Sequence, residues 1–247
     1  MPKHRASGPQ PPLPSRDGPR CHLAECYAAA LRAVDGRAAV RGALAARPPS
    51  GPVWLIAVGK AAAAMTLGAL DVLGSTCQGG LLVDKAAPLD PRPYAGRGIE
   101  CLTGGHPVPT QASLDAGDRL LRALARTPRD TTLLFLLSGG GSSLVEVPVA
   151  GLGLVEIQRL NQWLLGSGWP ITSMNRVRTA VSRIKGGGLL AALPDRPVRV
   201  LAISDVPNDA PAVIGSGLLV PALDLATQVV RLDLPAWLRD CVNQGLA

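Results

Sequence analysis

A chain of 247 residues, 47% of them hydrophobic, can bury a sizeable core and is too apolar to stay disordered; with only 3% aromatic residues, Ala, Leu and Val must build that core. The net charge of +7 does not point to nucleic acid, because only four of the 25 cations are lysines, the arginines are scattered singly, and no basic run is interleaved with aromatics. No apolar run approaches the roughly 20 residues of a bilayer span, no secretory apolar segment follows the basic N-terminus, and the five cysteines lack CxxC or metal spacing, so the expected setting is cytoplasmic and reducing, with no membrane partner.

Residues 1–20 carry six prolines and no apolar periodicity, which predicts a disordered tail ahead of one domain over 21–247. The Ala/Leu spacing from Cys21 to about Ala46 predicts a helix closed by Pro48 and Pro49. "VWLIAVG" (53–59) reads as a buried strand and "KAAAAMTLGALDVLG" after it as a helix. Short strands follow at 79–84 and 98–105, a helix at 110–126, a strand at 131–138 and a helix at 152–165. "VRVLAISD" (198–205) is the last clear strand, before an irregular loop and two C-terminal helices. Apolar strands alternating with helices predict an α/β fold, a mainly parallel sheet flanked by helices in a Rossmann-like three-layer arrangement. Ligands of such sheets sit beyond the carboxyl ends of the strands. Four strand ends here run into unusual loops: Gly59-Lys60, Gly104-Gly105-His106, "SGGGSS" (138–143) and Ser204-Asp205.

The loop Ser138, Gly139, Gly140, Gly141, Ser142 has little side-chain bulk and many backbone N–H groups. Three consecutive glycines cost conformational entropy, so a loop that keeps them suits close approach to an anion, helped by the dipole of a following helix; a tight strand-to-turn crossing is the alternative. Neither a Walker A loop (Trp54 stands where its first glycine belongs) nor a GxGxxG fingerprint is present. Lys60, directly after a strand, suits a phosphoryl or carboxylate oxygen. His106, in "GGHPVPT", reads as structural or catalytic. In "NRVRTAVSRIKGGG" (175–188), helical spacing puts Arg178 and Lys185 on one face and Arg176 and Arg183 on another, a solvated surface or a receptor for acid groups. Asp205 at a strand terminus and Asp209 four residues on suit Mg²⁺, which takes one or two carboxylates plus phosphate oxygens; turn and cap roles compete, most strongly at Asp209.

In this order, "VGKAA", "GGHPVPT", "LLSGGGSSL", "NRVRTAVSRIKGG" and "ISDVPNDAPAVIGSG" resemble the glycerate 2-kinases of the MOFRL family, whose members have also carried the name hydroxypyruvate reductase. The resemblance spans roughly residues 22–245 and corresponds to the family's N-terminal domain. It implies phosphorylation of D-glycerate at the 2-hydroxyl with ATP and Mg²⁺. By position it assigns Lys60, Ser138 to Ser142, Asn175, Arg178, Lys185 and Asp205 to the glycine-loop anion site, a basic clamp for phosphates and carboxylate, and a metal-holding or hydroxyl-orienting carboxylate. Where the family reads "NTVRKHLS", this chain has Arg176, Thr179 and Ala180. The family continues into a C-terminal MOFRL domain that completes the active-site cleft, so the expectation is a truncated or split kinase whose second domain is a separate partner. The competing functions are hydride transfer to hydroxypyruvate with NAD(P)H, which the missing GxGxxG disfavours, and a degenerate ligand-binding or assembly domain.

Overall fold

The computed structural model describes residues 18–246, so the tail expected over 1–20 lies outside the described residues except for its last three, of which Pro19 and Arg20 already begin a helix. The chain divides into two compact units, residues 1–35 and 36–247. The first contributes α1 (Pro19–Ala33), which opens on a proline in its first turn, where the missing N–H costs nothing. The single helix expected over 21–46 is therefore two. The first stops at Val34, and a new one starts at Gly36, because a β-branched residue followed by Asp35 and Gly36 is a poor helix interior.

The second unit runs α2 (Gly36–Ala46), β1 (Val53–Val58), α3 (Ala62–Leu73), β2 (Cys77–Asp84), α4 (Arg92–Ala95), β3 (Ile99–Thr103), α5 (Gln111–Arg126), β4 (Thr132–Leu137), α6 (Gly141–Leu144), α7 (Leu154–Gly166), α8 (Ile171–Ala180), α9 (Gly188–Ala191), β5 (Val198–Ala202), α10 (Leu225–Val230) and α11 (Ala236–Leu246). Among the described residues, five strands form one sheet, all parallel, in the order β3-β2-β1-β4-β5. The central strands β1, β2 and β4 are buried on both faces, while the edge strands β3 and β5 carry Glu100 and Arg199 and are only partly covered; the two-residue period of the strands sorts side chains into two cores. Leu55 and Ala57 of β1 and Leu136 of β4 pack with Val40 and Leu44 of α2 and Met65 and Ala69 of α3. Ile56, Val58 and Phe135 point the other way, to Leu120 of α5, Leu144 and Leu189. Phe135 is fully buried, and each such side chain contributes about 1.5–3 kcal/mol of transfer free energy. A third cluster joins α7, α8, α10 and α11 through Ile157, Leu160, Val177, Val229, Leu238 and Val242. Trp163 meets Trp169 edge to face with ring centroids 5.3 Å apart, and the Arg159 guanidinium lies 4.0 Å over the Trp237 ring.

The strand order reverses between β1 and β4. The chain leaves these neighbouring strands in opposite directions, so their carboxyl ends open a crevice. The loops after them begin with Gly59-Lys60 and Ser138-Gly139. Among the described residues no helix is long and apolar enough to cross a membrane.

Candidate active site at the strand switch point

The loops after β1 and β4 are stitched together by backbone and hydroxyl groups. The Ser138 N–H donates to the Val58 carbonyl at 3.0 Å, and the Lys60 N–H donates to the Gly139 carbonyl at 3.0 Å. The Ser138 hydroxyl accepts the Ala61 N–H at 3.0 Å, just ahead of α3. Two glycines here leave room for neighbouring side chains. A β-carbon on Gly139 would lie 2.2 Å from Oδ2 of Asp205, and one on Gly140 would lie 3.0 Å from the His106 ring and 3.1 Å from Cε of Lys60. Gly140 also has φ +89°, a conformation that β-carbons disfavour. The bare loop thus lets Lys60, His106 and Asp205, from the ends of three different strands, approach one backbone segment. The helix expected to follow is a single turn, α6, so its dipole is small.

Ser142 shares a 2.7 Å hydroxyl–hydroxyl hydrogen bond with buried Ser216, which fastens this loop to the segment after β5. Beside the loop opens a cavity of about 360 Å³. His106, Gly139, Gly140, Ser142, Asn175, Arg178 and Asp205 line its polar side; Leu165, Ile171, Met174, Val213 and Ile214 make it apolar elsewhere. Lys60 is exposed at the edge of this arrangement, its chain against Gly140 rather than in the cavity wall. Burial first, and then the charges of Lys60 and Lys85, hold the His106 pKa below its ordinary 6.5, so its ring is neutral at pH 7. Asp205 is an exposed carboxylate in the wall. Asp209, the expected second carboxylate, is exposed, has φ +50°, and stands outside that wall.

The basic stretch folds differently from its helical spacing. α8 ends at Ala180, and residues 181–183 turn into extended pairing with 147–149: the Val149 N–H donates to the Val181 carbonyl, and the Arg183 N–H to the Val147 carbonyl. Arg178 and Lys185 therefore do not share a helix face, nor do Arg176 and Arg183. Arg178 stays at the cavity, its Nε donating to Oδ1 of Asn161 at 2.9 Å and Nη1 to Oδ1 of Asn175 at 3.2 Å. Burial lowers its pKa from the usual arginine value, against the pull of Glu146. Lys185 is fully buried and ion-paired with Glu146, whose other oxygen accepts the Ser182 hydroxyl and the Val147 N–H. Burial pushes the Lys185 pKa down while Glu146 pulls it up. Lys185 is thus not in the cavity wall, although it remains within electrostatic reach of Arg178.

Three residues of this arrangement escaped the sequence reading: Glu146, Asn161 and Ser216. Glu146 did leave a signal, a lone carboxylate inside the apolar "SLVEVPV". Ser216 lay inside the quoted "ISDVPNDAPAVIGSG" without being singled out, and Asn161 left no signal.

An open, all-parallel α/β sheet with a glycine loop, cationic groups and a carboxylate at its switch point defines the protein's class: an α/β domain with a polar crevice at the carboxyl ends of its strands. The chain belongs to the family described as Domain of unknown function (DUF4147), whose model matches residues 22–233. A D-glycerate 2-kinase of Thermotoga maritima is 40% identical over 169 residues, covering 67% of this chain and 39% of the relative. An Agrobacterium vitis protein provisionally named a hydroxypyruvate reductase is 37% identical over 230 residues, covering 90% of this chain and 51% of the relative. The crystal structure of the glycerate kinase from Thermotoga maritima matches with a TM-score of 0.74 at 33% identity, covering 86% of this chain and 52% of that one. The chain spans about half, or less, of the length of the relatives it matches.

Proposed function

We propose that this protein takes part in ATP-dependent phosphorylation of D-glycerate at its 2-hydroxyl, giving 2-phosphoglycerate and ADP in the cytoplasm. The observation that carries the reading is the convergence of Lys60, His106, Asp205 and Arg178 on the Gly139-Gly140 backbone and its adjoining cavity, in a chain 40% identical to a protein named D-glycerate 2-kinase. Phosphoryl transfer needs little covalent chemistry from the protein; it needs positioning and neutralisation of charge. The bare backbone at Gly139 and Gly140, where side chains would collide with the functional groups, suits the phosphates of ATP, with Lys60 as the neighbouring cation. Ser138, Gly141 and Ser142 shape that loop. Arg178 and Asn175 suit the acid end of glycerate.

Mg²⁺ fits the donor set as an ion held by one protein carboxylate, Asp205, and otherwise by substrate oxygens. Among the described residues no group of three or more His, Cys, Asp or Glu side chains forms a cage for it. When bound, the ion supplies neutralisation of phosphate charge. Asp209 has no part in that set. Lys185 contributes through the field it shares with Glu146 and Arg178 rather than by contact.

The relatives' greater length supports a further domain of the MOFRL type, on the same chain or as a separate subunit, that closes the cavity and excludes water. The test is a coupled ADP-release assay with D-glycerate, ATP and Mg²⁺, with and without that domain. Glycerate-dependent turnover that rises when the domain is added supports the reading. Correctly folded protein that makes no 2-phosphoglycerate in either arrangement refutes it. The name carried by the Agrobacterium vitis relative favours a second reading, NAD(P)H-dependent reduction of hydroxypyruvate. Loss of nicotinamide absorbance during turnover would establish it.

A further inference from the structure

We infer that Asn161 is a positioning residue whose neutral amide keeps Arg178 an uncompensated cation, and that the cation so preserved receives the carboxylate of a small hydroxy acid. The inference rests on the proposed function for the identity of that acid, D-glycerate.

Arginines drawn out of water are ordinarily matched to carboxylates, because an unpaired charge is costly there. Arg178 is half-buried in the cavity wall, yet both of its hydrogen bonds end on neutral amide oxygens, of Asn161 and Asn175. Two of the five N–H donors of a guanidinium are thereby used, and the rest are open among the described residues. The carboxylate that acts on Arg178 through space, Glu146, is already committed: one oxygen to Ser182 and the Val147 N–H, the other to Lys185. Within the group Arg178, Lys185 and Glu146, two cations face one carboxylate; Asp205, the carboxylate elsewhere in the cavity wall, is not among the hydrogen-bond partners of Arg178. An anion entering the cavity would supply the missing partner.

Asn161 is built for this task. It is 4% exposed on α7, and its Nδ2 donates to the Ile157 carbonyl at 2.9 Å, which orients the amide so that Oδ1 faces Arg178. An aspartate of the same shape would accept the same hydrogen bond but would cancel the arginine's charge and turn a second oxygen toward the Ile157 carbonyl. The amide thus fixes the guanidinium without neutralising it. The planar, forked remainder of Arg178 matches a planar carboxylate, whereas the glycine loop and Lys60 offer the point charge and backbone donors suited to phosphates.

The experiment titrates D-glycerate, its neutral amide glyceramide, L-lactate, tartronate and ATP separately into wild-type protein, Asn161→Asp and Asn161→Ser by calorimetry, with unfolding midpoints recorded for each. Asn161→Asp should weaken glycerate by about 10- to 100-fold, the scale of a lost charge-assisted contact, while leaving ATP affinity unchanged. The preference for glycerate over glyceramide should shrink in step, and Asn161→Ser, a neutral acceptor, should keep more of it. A merely structural role would move all ligands together. If Asn161→Asp does not fold, Asn175→Asp, placed on the other amide partner, should show the same charge-selective loss. Unchanged glycerate affinity in a folded Asp variant overturns the inference, as does weakening of ATP alone or a wild-type protein that binds none of the acids. Binding of lactate or tartronate but not glycerate, with the same loss in Asn161→Asp, would refute D-glycerate as the substrate and leave the role of Asn161 standing.

Discussion

Replacing Lys185 with methionine separates the two roles that its sequence and its structure suggest. Its side chain has no exposure and that of Glu146 has 3%, so Lys185→Met would leave a buried carboxylate with only Ser182 and the Val147 N–H as partners. Breaking a buried ion pair from one side costs about 3–5 kcal/mol, roughly a 10²- to 4 × 10³-fold loss in the folding equilibrium. For a chain of this size that corresponds to a fall of about 6–20 °C in Tm. The double variant Lys185→Met/Glu146→Leu removes both charges, and its stability should return to wild type or exceed it, because the desolvation of two ions disappears with their attraction. Urea unfolding of the three proteins measures both steps, and glycerate titration of the double variant tests the alternative. A single variant as stable as wild type would refute the buried-pair argument. A stable double variant that has lost glycerate binding altogether would return Lys185 to the substrate clamp.

Lys60→Ala should leave stability nearly unchanged, since the side chain is exposed, and lower glycerate-dependent turnover on the order of 10²-fold, as expected when a main electrostatic stabiliser is removed; a folded variant with wild-type kcat/KM removes Lys60 from the site. Gly140→Val forces a β-branched residue into φ +89° and toward His106 and Lys60, so calorimetry should show ATP affinity lost before the unfolding midpoint falls far. Unchanged affinity would make the loop a structural turn. His106 is held below its ordinary pKa of 6.5, so the unfolded chain binds more protons there. Its contribution is therefore complete above 6.5 and declines as pH falls from 6.5 toward the folded value. His106→Gln should flatten that part of the stability profile; an identical slope in urea midpoints across the window would refute the shift.

Local chemistry made much of this protein legible in its sequence. The strands read at 53–59, 79–84 and 131–138 meet β1, β2 and β4 because a strand buried on both faces is a short apolar run, whatever lies beside it; the one read at 98–105 meets β3, an edge strand that is only partly buried. The glycine run at 139–141 stood out because consecutive glycines cost conformational entropy, and at Gly140 the structure gives the backbone a φ of +89°. The order β3-β2-β1-β4-β5 was not readable, since every parallel strand looks alike in sequence, and that order puts the loops after β1 and β4 side by side. The basic stretch shows the same limit from the other direction. Its seven-residue spacing is sound helical arithmetic, but pairing of 181–183 with 147–149 outweighs local propensity and ends the helix at Ala180. Lys185 thereby meets Glu146, 39 residues away, while Arg178 meets Asn161, 17 residues away. Partners at such distances leave no periodic trace along the chain: the pairing of 181–183 with 147–149 decided that Lys185 is spent in the core, and the packing of α7 beside α8 decided that Arg178 meets Asn161 at the cavity.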